Sequence, residues 1–237
     1  DTEYDVRCRL CSLLRVGVDQ RIAKLSAAGI PVFLLVGNHD LPQVIGRATA
    51  LEIFQTLEVP NVTIGDKAKT YRIETASGPV QIVAVPWVTR SALLAREDTR
   101  GLTPDQVNET IQERLSRIIR AQADALDEHV PAIFAGHLSV SQAKLASEQS
   151  MMLGRDHVLL LSDVALPQFD YVALGHIHRQ QVLDHENRVA YAGSLQRIDF
   201  GEERDPKGFC LIDLDLSAPQ GSRLRHFEFQ EVDARRF

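Results

Sequence analysis

The sequence predicts an α/β fold, and three observations support that class. In the first two thirds of the chain, apolar segments rich in β-branched residues alternate with segments whose apolar residues recur at helical spacing. After Gln180 the helical signal disappears, and the remaining segments are short and strand-like. At 237 residues the chain is long enough to bury the core of one large domain. No repeat, low-complexity tract or linker divides it.

Each predicted element is bounded by turn or capping residues. Gly29 and Pro31 end the first helix, whereas Thr103 is the expected N-cap of the third and Pro104 its first residue. The helices are expected over residues 3–28, 44–57 and 103–128. The strands are expected over residues 30–36 (buried on both faces), 62–64, 70–75, 80–88, 132–135, 171–174, 181–184, 188–192, 208–216 and 223–232. Residues 138–157 are polar and predict a long irregular connection.

The composition excludes several classes of protein. Hydrophobic residues make up 44% and charged residues 24%, as in ordinary globular proteins. A net charge of −6 argues against a basic protein that coats nucleic acid without specificity. Three cysteines form no disulfide framework, and Cys8 and Cys11 have no second pair with which to bind zinc, so a reducing cytoplasm is expected. No apolar run is long enough to cross a membrane, and no membrane partner is expected.

One design occurs three times in the chain: an apolar strand, a glycine and then polar side chains that include histidine. The three units end in Asn38-His39-Asp40, Gly136-His137 and Gly175-His176-Ile177-His178. A single Gly-His pair would be weak evidence, but ligand sites of α/β sheets lie at the carboxyl ends of strands, where these three ends would converge. Imidazole nitrogen suits Zn, Fe and Mn, and an amide oxygen favours harder cations. The pattern therefore predicts a metal site.

Other conspicuous residues have simpler explanations. Trp87 follows Pro86 at a strand end and could stack on a base, although core packing is the favoured reading. Ser194 lacks the surroundings of a nucleophile, so a turn or a hydroxyl beside a phosphate is expected. Solvated or hydrogen-bonded structural roles are expected for the remaining histidines, His129, His157, His185 and His226.

The three histidine motifs resemble those of the calcineurin-like metallophosphoesterase superfamily. Further segments resemble the SbcD-type DNA repair nucleases: 169–178, Tyr191-Ala192-Gly193-Ser194-Leu195, and Ile198-Asp199-Phe200-Gly201-Glu202 followed by Lys207-Gly208-Phe209. The resemblance covers nearly the whole chain. It implies a single metallophosphoesterase (nuclease) domain over residues 1–237, folded as a four-layer α/β/β/α sandwich of two mixed sheets.

The resemblance also implies a role for each site residue. Asn38, His137 and His176 would bind one metal ion and His178 the other, and the family uses a pair of Mn²⁺ ions, with Mg²⁺ or another divalent ion as the alternative. His39 would lie over the scissile phosphate and help to protonate the leaving oxygen, and Asp40 would orient His39. Two metal ions clamp an in-line displacement at phosphorus. Near the site loops, Arg155 and Arg179 are the candidates for phosphate contacts.

The family pattern contains two earlier motifs, Asp-x-His and Gly-Asp-x-x-Asp, and neither precedes Asn38 here. We therefore expect one or two N-terminal strands and several metal ligands to be missing, a C-terminal capping region to be absent as well, and the chain alone to be inactive. The implied function is metal-dependent exonuclease and endonuclease hydrolysis of DNA in double-strand-break repair, with an SbcC-type ATPase partner and a two-fold homodimer.

Two alternatives stay open at this point. The first is a phosphodiesterase for small nucleotide or cyclic esters, which a panel of long DNA and small esters would distinguish. The second is a non-catalytic scaffold copy, which the retained histidines argue against and the missing ligands favour.

Overall fold

A mixed six-stranded sheet is the largest element of the structure, a computed structural model that describes residues 20–41, 51–89, 93–94, 101–144, 158–186 and 188–236. The elements, in chain order, are α1 (20–27), β1 (Val32–Leu35), α2 (Glu52–Thr56), β2 (Val62–Gly65), β3 (Lys69–Thr75), β4 (Gly78–Val85), α3 (Pro104–Asp124), β5 (Ala132–His137), β6 (Ser139–Val140), β7 (Val158–Leu159), α4 (Leu161–Val164), β8 (Tyr171–Gly175), β9 (Gln181–Val182), β10 (Val189–Tyr191), a 3₁₀ turn (Phe200–Glu202), β11 (Gly208–Leu214) and β12 (Leu224–Glu231). The predicted α/β class is confirmed.

The strand order of the large sheet is β3-β4-β5-β8-β10-β9. Its four central strands, β4, β5, β8 and β10, are parallel to their neighbours, whereas β3 and β9 pair antiparallel at the two edges. Parallel neighbours point their carboxyl ends to the same edge of a sheet, so the ends of β4, β5 and β8 lie together. This edge is where the candidate site is found.

The core of the large sheet is formed with α3, which presents a buried stripe at Ile111, Leu115 and Ile119. These residues share one hydrophobic cluster with Phe134 of β5 and Val172 of β8. Full burial of a side chain of this size stabilises the fold by about 1.5–3 kcal/mol. The four-residue spacing of the stripe follows from the helical repeat, so the sequence periodicity dictates which face of α3 contacts the sheet.

β1 belongs to a different sheet. It pairs in parallel with β2, and all four of its residues are half-buried, so the prediction of a strand buried on both faces is wrong. A small hydrophobic cluster that includes Ile22, Phe54 and Ile64 packs on this two-stranded sheet. The backbone N–H of Trp87 donates a hydrogen bond to the carbonyl of Val36 at 2.9 Å. This bond joins the end of β1 to the end of β4.

The ends of several elements differ from the prediction for identifiable reasons. α3 begins as predicted, because Thr103 and Gln106 form a reciprocal capping box. It ends at Asp124 rather than at residue 128, since the chain turns there and the Asp127 side chain accepts a hydrogen bond from His129 N. β4 ends at Val85 rather than at 88, and Pro86 has no N–H with which to continue the ladder.

Other predictions are met only in part. Most of the first predicted helix lies outside the described residues, as does 44–50 of the second. In the predicted irregular connection, residues 139–140 form β6, which pairs with β7 at 158–159, and residues 145–157 lie outside the described part. Among the described helices, none has the length and apolar character needed to cross a bilayer.

A buried ion pair ties the beginnings of β5 and β8 to the segment before β12. Asp170 and Arg223 are 0% and 3% exposed, and their Oδ2 and Nη1 atoms are 3.2 Å apart. The Asp170 carboxylate also accepts hydrogen bonds from the backbone N–H groups of Ala132, at 2.9 Å, and Gly221, at 2.7 Å. Asp170 thus holds three distant segments at one point.

We expect Asp170→Ala to lower the free energy of unfolding by about 3–5 kcal/mol, because it leaves the Arg223 guanidinium buried without its partner. Urea-induced unfolding measures the change. The matched control is Arg72→Ala, which breaks the exposed Arg72–Glu74 pair (3.2 Å) and should change stability by less than about 1 kcal/mol. Equal effects of the two substitutions would contradict the role given to Asp170.

Candidate metal centre

Three donor side chains meet where β1, β5 and β8 end. The Oδ1 atom of Asn38 lies 2.9 Å from Nε2 of His137. The imidazole rings of His137 and His176 have their centroids 5.2 Å apart. The register of β5 and β8 pairs His137 with Gly175, so His176 follows directly on the neighbouring strand. The structure therefore brings together Asn38, His137 and His176.

Two of the motif glycines allow this close approach. A Cβ atom on Gly37 would lie 2.7 Å from Cε1 of His137, and one on Gly175 would lie 3.2 Å from Nδ1 of the same ring. The His137 imidazole consequently occupies the space that side chains at positions 37 and 175 would fill. The glycines of the strand-glycine-histidine units thus make room for one ring, in addition to ending strands.

The backbone at His176 is strained. Its φ angle is +95°, in a region that residues with a side chain rarely adopt. Such a conformation costs about 1–3 kcal/mol and persists where the surroundings require it, often at functional sites. Here it turns the chain sharply immediately after β8, at the position that carries the imidazole.

Trp87 covers two of the histidines. Its ring centroid lies 4.8 Å from that of His176, tilted by 40°, and 6.1 Å from that of His137 in an edge-on arrangement. The sequence offered core packing or base stacking for Trp87, and the observed partners are the imidazoles. This contact was not foreseen, and the signal for it was the position of Trp87 just after β4, beside β5.

His178 has a separate environment. Its Nδ1 atom lies 2.9 Å from Oε1 of Glu202, and Oε2 of Glu202 accepts a hydrogen bond from Nζ of Lys207 at 2.8 Å. Glu202 and Lys207 are both 0% exposed. Ser194 accepts a hydrogen bond from Lys207 at 2.9 Å and donates one to the carbonyl of Gln196, in keeping with a structural role in a turn.

Burial disfavours the ionised form of Glu202, but hydrogen bonds from Lys207 and His178 outweigh it, and the pKa of Glu202 lies below its ordinary value. Glu202 is therefore a carboxylate at neutral pH. Sequence reasoning gave neither Glu202 nor Lys207 a role, although both lie in segments that carry the family resemblance. Two charges inside an otherwise strand-and-turn region were the available signal.

The predicted catalytic pair is placed at the turn after β1. His39 is exposed, and Asp40 is half-buried. Oδ2 of Asp40 accepts a hydrogen bond from Gly37 N at 2.8 Å, and no hydrogen bond joins Asp40 to His39 in the described structure. Asp40 thus orders the turn that presents Asn38 and His39.

The two predicted phosphate contacts are placed less directly. Nε of Arg179 lies 3.7 Å from Oδ1 of Asp205, and the Arg179 side chain is 47% exposed. Arg155 lies outside the described residues, as does His157. His129, His185 and His226 are exposed, which agrees with their expected solvated roles.

The donor set was tested against a divalent cation. Neighbouring ligands of an octahedral ion with bonds of about 2.1 Å stand about 3 Å apart. The 2.9 Å between Asn38 Oδ1 and His137 Nε2 fits two such ligands as well as it fits a hydrogen bond. Across the described ranges, no group of three or more His, Cys, Asp and Glu side chains is arranged to hold an ion. The mixed amide and imidazole set is thus a partial fit.

The fold and the site together define an α/β protein with an imidazole- and amide-lined site at the carboxyl edge of its sheet. Its sequence is similar to that of two curated proteins, each named as the SbcD subunit of the nuclease SbcCD. The protein from Staphylococcus saprophyticus is 27% identical over 185 residues, which are 78% of this chain and 46% of that protein. The protein from Staphylococcus epidermidis is 25% identical over 187 residues, again 78% of this chain and 46% of the relative.

The resemblance to SbcD-type nucleases, which the motifs indicated, is confirmed by these comparisons. The chain spans about half the length of the curated relatives it matches. No protein-family model matches the chain.

We expect Gly37→Ala to displace the His137 ring and to weaken Mn²⁺ binding by about 10-fold or more, as disturbed supports of metal ligands do. Calorimetric titration of the natural full-length protein with Mn²⁺ measures this. Gly65→Ala is the control, because its Cβ would lie 2.5 Å from the ring of Phe33, away from the histidines. The two variants should be similarly destabilised, and equal Mn²⁺ affinities would contradict the role of Gly37.

Proposed function

We propose that this chain is the metal-binding part of a DNA phosphodiesterase of the SbcD type. The names of its relatives support a nuclease that acts in DNA repair. The observation that carries the proposal is the approach of the Asn38 amide oxygen to His137 Nε2, beside His176, at the joined ends of three strands.

Asn38, His137 and His176 would hold one divalent cation, and His178 a second. The expected pair is Mn²⁺, with Mg²⁺ or another divalent ion as the alternative. When bound, the cations supply charge neutralisation and an activated water for an in-line displacement at phosphorus. The protein holds the donors in place before substrate arrives, through the β5–β8 register and the packing of Trp87.

His39 is the candidate for proton transfer. It is exposed at the turn that Asp40 closes, so a phosphodiester bound at the strand ends could reach it. Histidine titrates near neutral pH, which allows the ring to stabilise negative charge on the phosphate and to protonate the leaving oxygen. Asp40 then acts through the turn. Arg155 and Arg179 are proposed to contact phosphates, which would position the strand without reading its sequence.

The remaining features of the proposal come from the family resemblance. They are a four-layer α/β/β/α sandwich built from two mixed sheets, exonuclease and endonuclease action on DNA in double-strand-break repair, an ATPase partner of the SbcC type, a homodimer and a cytoplasmic location. The relatives are named as subunits of SbcCD, and this supports an assembly with a second type of subunit.

Asn38→Ala in the natural full-length protein should lower Mn²⁺-dependent cleavage of linear duplex and hairpin DNA by at least about 100-fold, since one oxygen donor is lost. The control is His129→Ala, which removes an exposed imidazole away from the site and should leave cleavage unchanged. Gel-resolved cleavage time courses give both rates.

The same assay separates the two enzymatic hypotheses. Cleavage of long DNA with little turnover of cyclic nucleotides supports the nuclease. Efficient turnover of small esters without DNA cleavage would favour the small-ester phosphodiesterase. Absence of both activities in the full-length protein with Mn²⁺ would refute the enzyme and favour the scaffold.

His39→Asn should reduce kcat by roughly 100- to 10,000-fold, the usual contribution of a positioned proton donor. Mn²⁺ affinity and KM should change little, because His39 is proposed to contact the phosphate and not the cations. Steady-state kinetics and calorimetry on the same preparation test this. A parallel loss of Mn²⁺ affinity would show instead that His39 is a ligand.

A further inference from the structure

The buried ammonium of Lys207 has a complete set of hydrogen-bond acceptors. Nζ lies 2.8 Å from Oε2 of Glu202, 2.9 Å from Oγ of Ser194 and 3.1 Å from the carbonyl oxygen of His178. An ammonium group has three N–H donors and no acceptor, so each donor has one partner. Lys207 therefore contacts the backbone of His178 directly and its imidazole through Glu202.

The turn containing Gly193 closes around the same carbonyl. A Cβ atom on Gly193 would lie 2.8 Å from the carbonyl oxygen of His178, and the φ angle of Gly193 is +77°. A residue with a side chain would therefore be both strained and too close. Ser194, the next residue, supplies the third acceptor of Lys207. The backbone of His178 is enclosed on this side.

The hydrogen bonds of Glu202 determine which nitrogen of His178 carries the proton. Oε2 is occupied by two donors, Lys207 Nζ and the N–H of Ile198 at 3.1 Å. Oε1 faces Nδ1 of His178 at 2.9 Å. A carboxylate only accepts hydrogen bonds, so Nδ1 must be the donor. In neutral His178 the lone pair then lies on Nε2.

We propose that Lys207 and Glu202 are positioning residues that hold His178 as its Nδ1–H tautomer, with Nε2 as the nitrogen available to a cation. The cation-binding role of Nε2 rests on the proposed function, whereas the tautomer does not. A carboxylate that receives the distal N–H of a histidine ligand is a common support of metal sites. Here the support is itself held by a buried charge.

Stability alone is a weak explanation for this arrangement. A buried ion pair gains little over apolar side chains of the same volume, because both charges lose their hydration. Glu202 and Lys207 are fully buried, yet the partly exposed side chain that they jointly contact is His178, at 23% exposure. The orientation of that side chain is the feature that the pair controls.

Glu202→Gln provides a sharp test. The amide oxygen must face Lys207 and Ile198, because both are donors, so the amide NH₂ must face Nδ1 of His178. Nδ1 then becomes an acceptor, and the proton moves to Nε2. The variant thus reverses the tautomer with almost no change in side-chain volume.

The experiment uses the natural full-length protein, free of metal and labelled with ¹⁵N-histidine, at a pH where the imidazole is neutral. Long-range ¹H–¹⁵N spectra distinguish the two tautomers, and His178→Ala identifies the signal. We expect Nδ1–H in the wild type and Nε2–H in Glu202→Gln. Glu203→Gln, the same change at an exposed neighbour, should leave the wild-type tautomer.

Mn²⁺ titration of the same samples tests the cation-binding role. We expect Glu202→Gln to weaken one of two Mn²⁺ sites by about 10- to 100-fold and Glu203→Gln to leave both unchanged. An Nε2–H signal in the wild type would overturn the proposal without any variant having to fold. A reversed tautomer with unchanged Mn²⁺ binding would overturn the assignment of His178 as a ligand. Loss of nuclease activity with both readouts as expected would leave the positioning role intact.

Discussion

The parallel register between β5 and β8 is the constraint on which the site depends. It pairs His137 with Gly175 and thereby places His176 beside the ring of His137. A slip of one residue would turn every side chain of the strand to the opposite face. Asp170 opposes such a slip, because it precedes β8 and its carboxylate binds the first N–H of β5. The ion pair with Arg223 lies at the far ends of the strands that carry the imidazoles.

The two halves of the candidate site are supported by different physical means. His137 and His176 are held by close packing, with Trp87 against both rings and Gly37 and Gly175 leaving room for one of them. Hydrogen bonds to a buried carboxylate and ammonium hold His178 instead. Packing restricts where a ring lies, whereas directional hydrogen bonds also select which nitrogen carries a proton.

The strand ends and the residues at them were predictable, because glycine and histidine after an apolar run are local signals. The α3 N-terminus was predictable for the same reason, since Thr103 and Gln106 interact within one turn. The pairing of β1 with β2 was not, because a half-buried strand and a fully buried one share the same apolar run. Lys207 and His178 are 29 residues apart, and only the fold shows that Lys207 is buried against the His178 carbonyl.

The positive φ of His176 separates two demands that usually coincide in evolution. Glycine would adopt this backbone without strain, so thermodynamic stability by itself favours replacement of the histidine. A lineage released from its chemical task would be free to drift toward glycine and become sturdier as it did so. A histidine at this position in a population of such sequences is therefore a molecular record of continuing use.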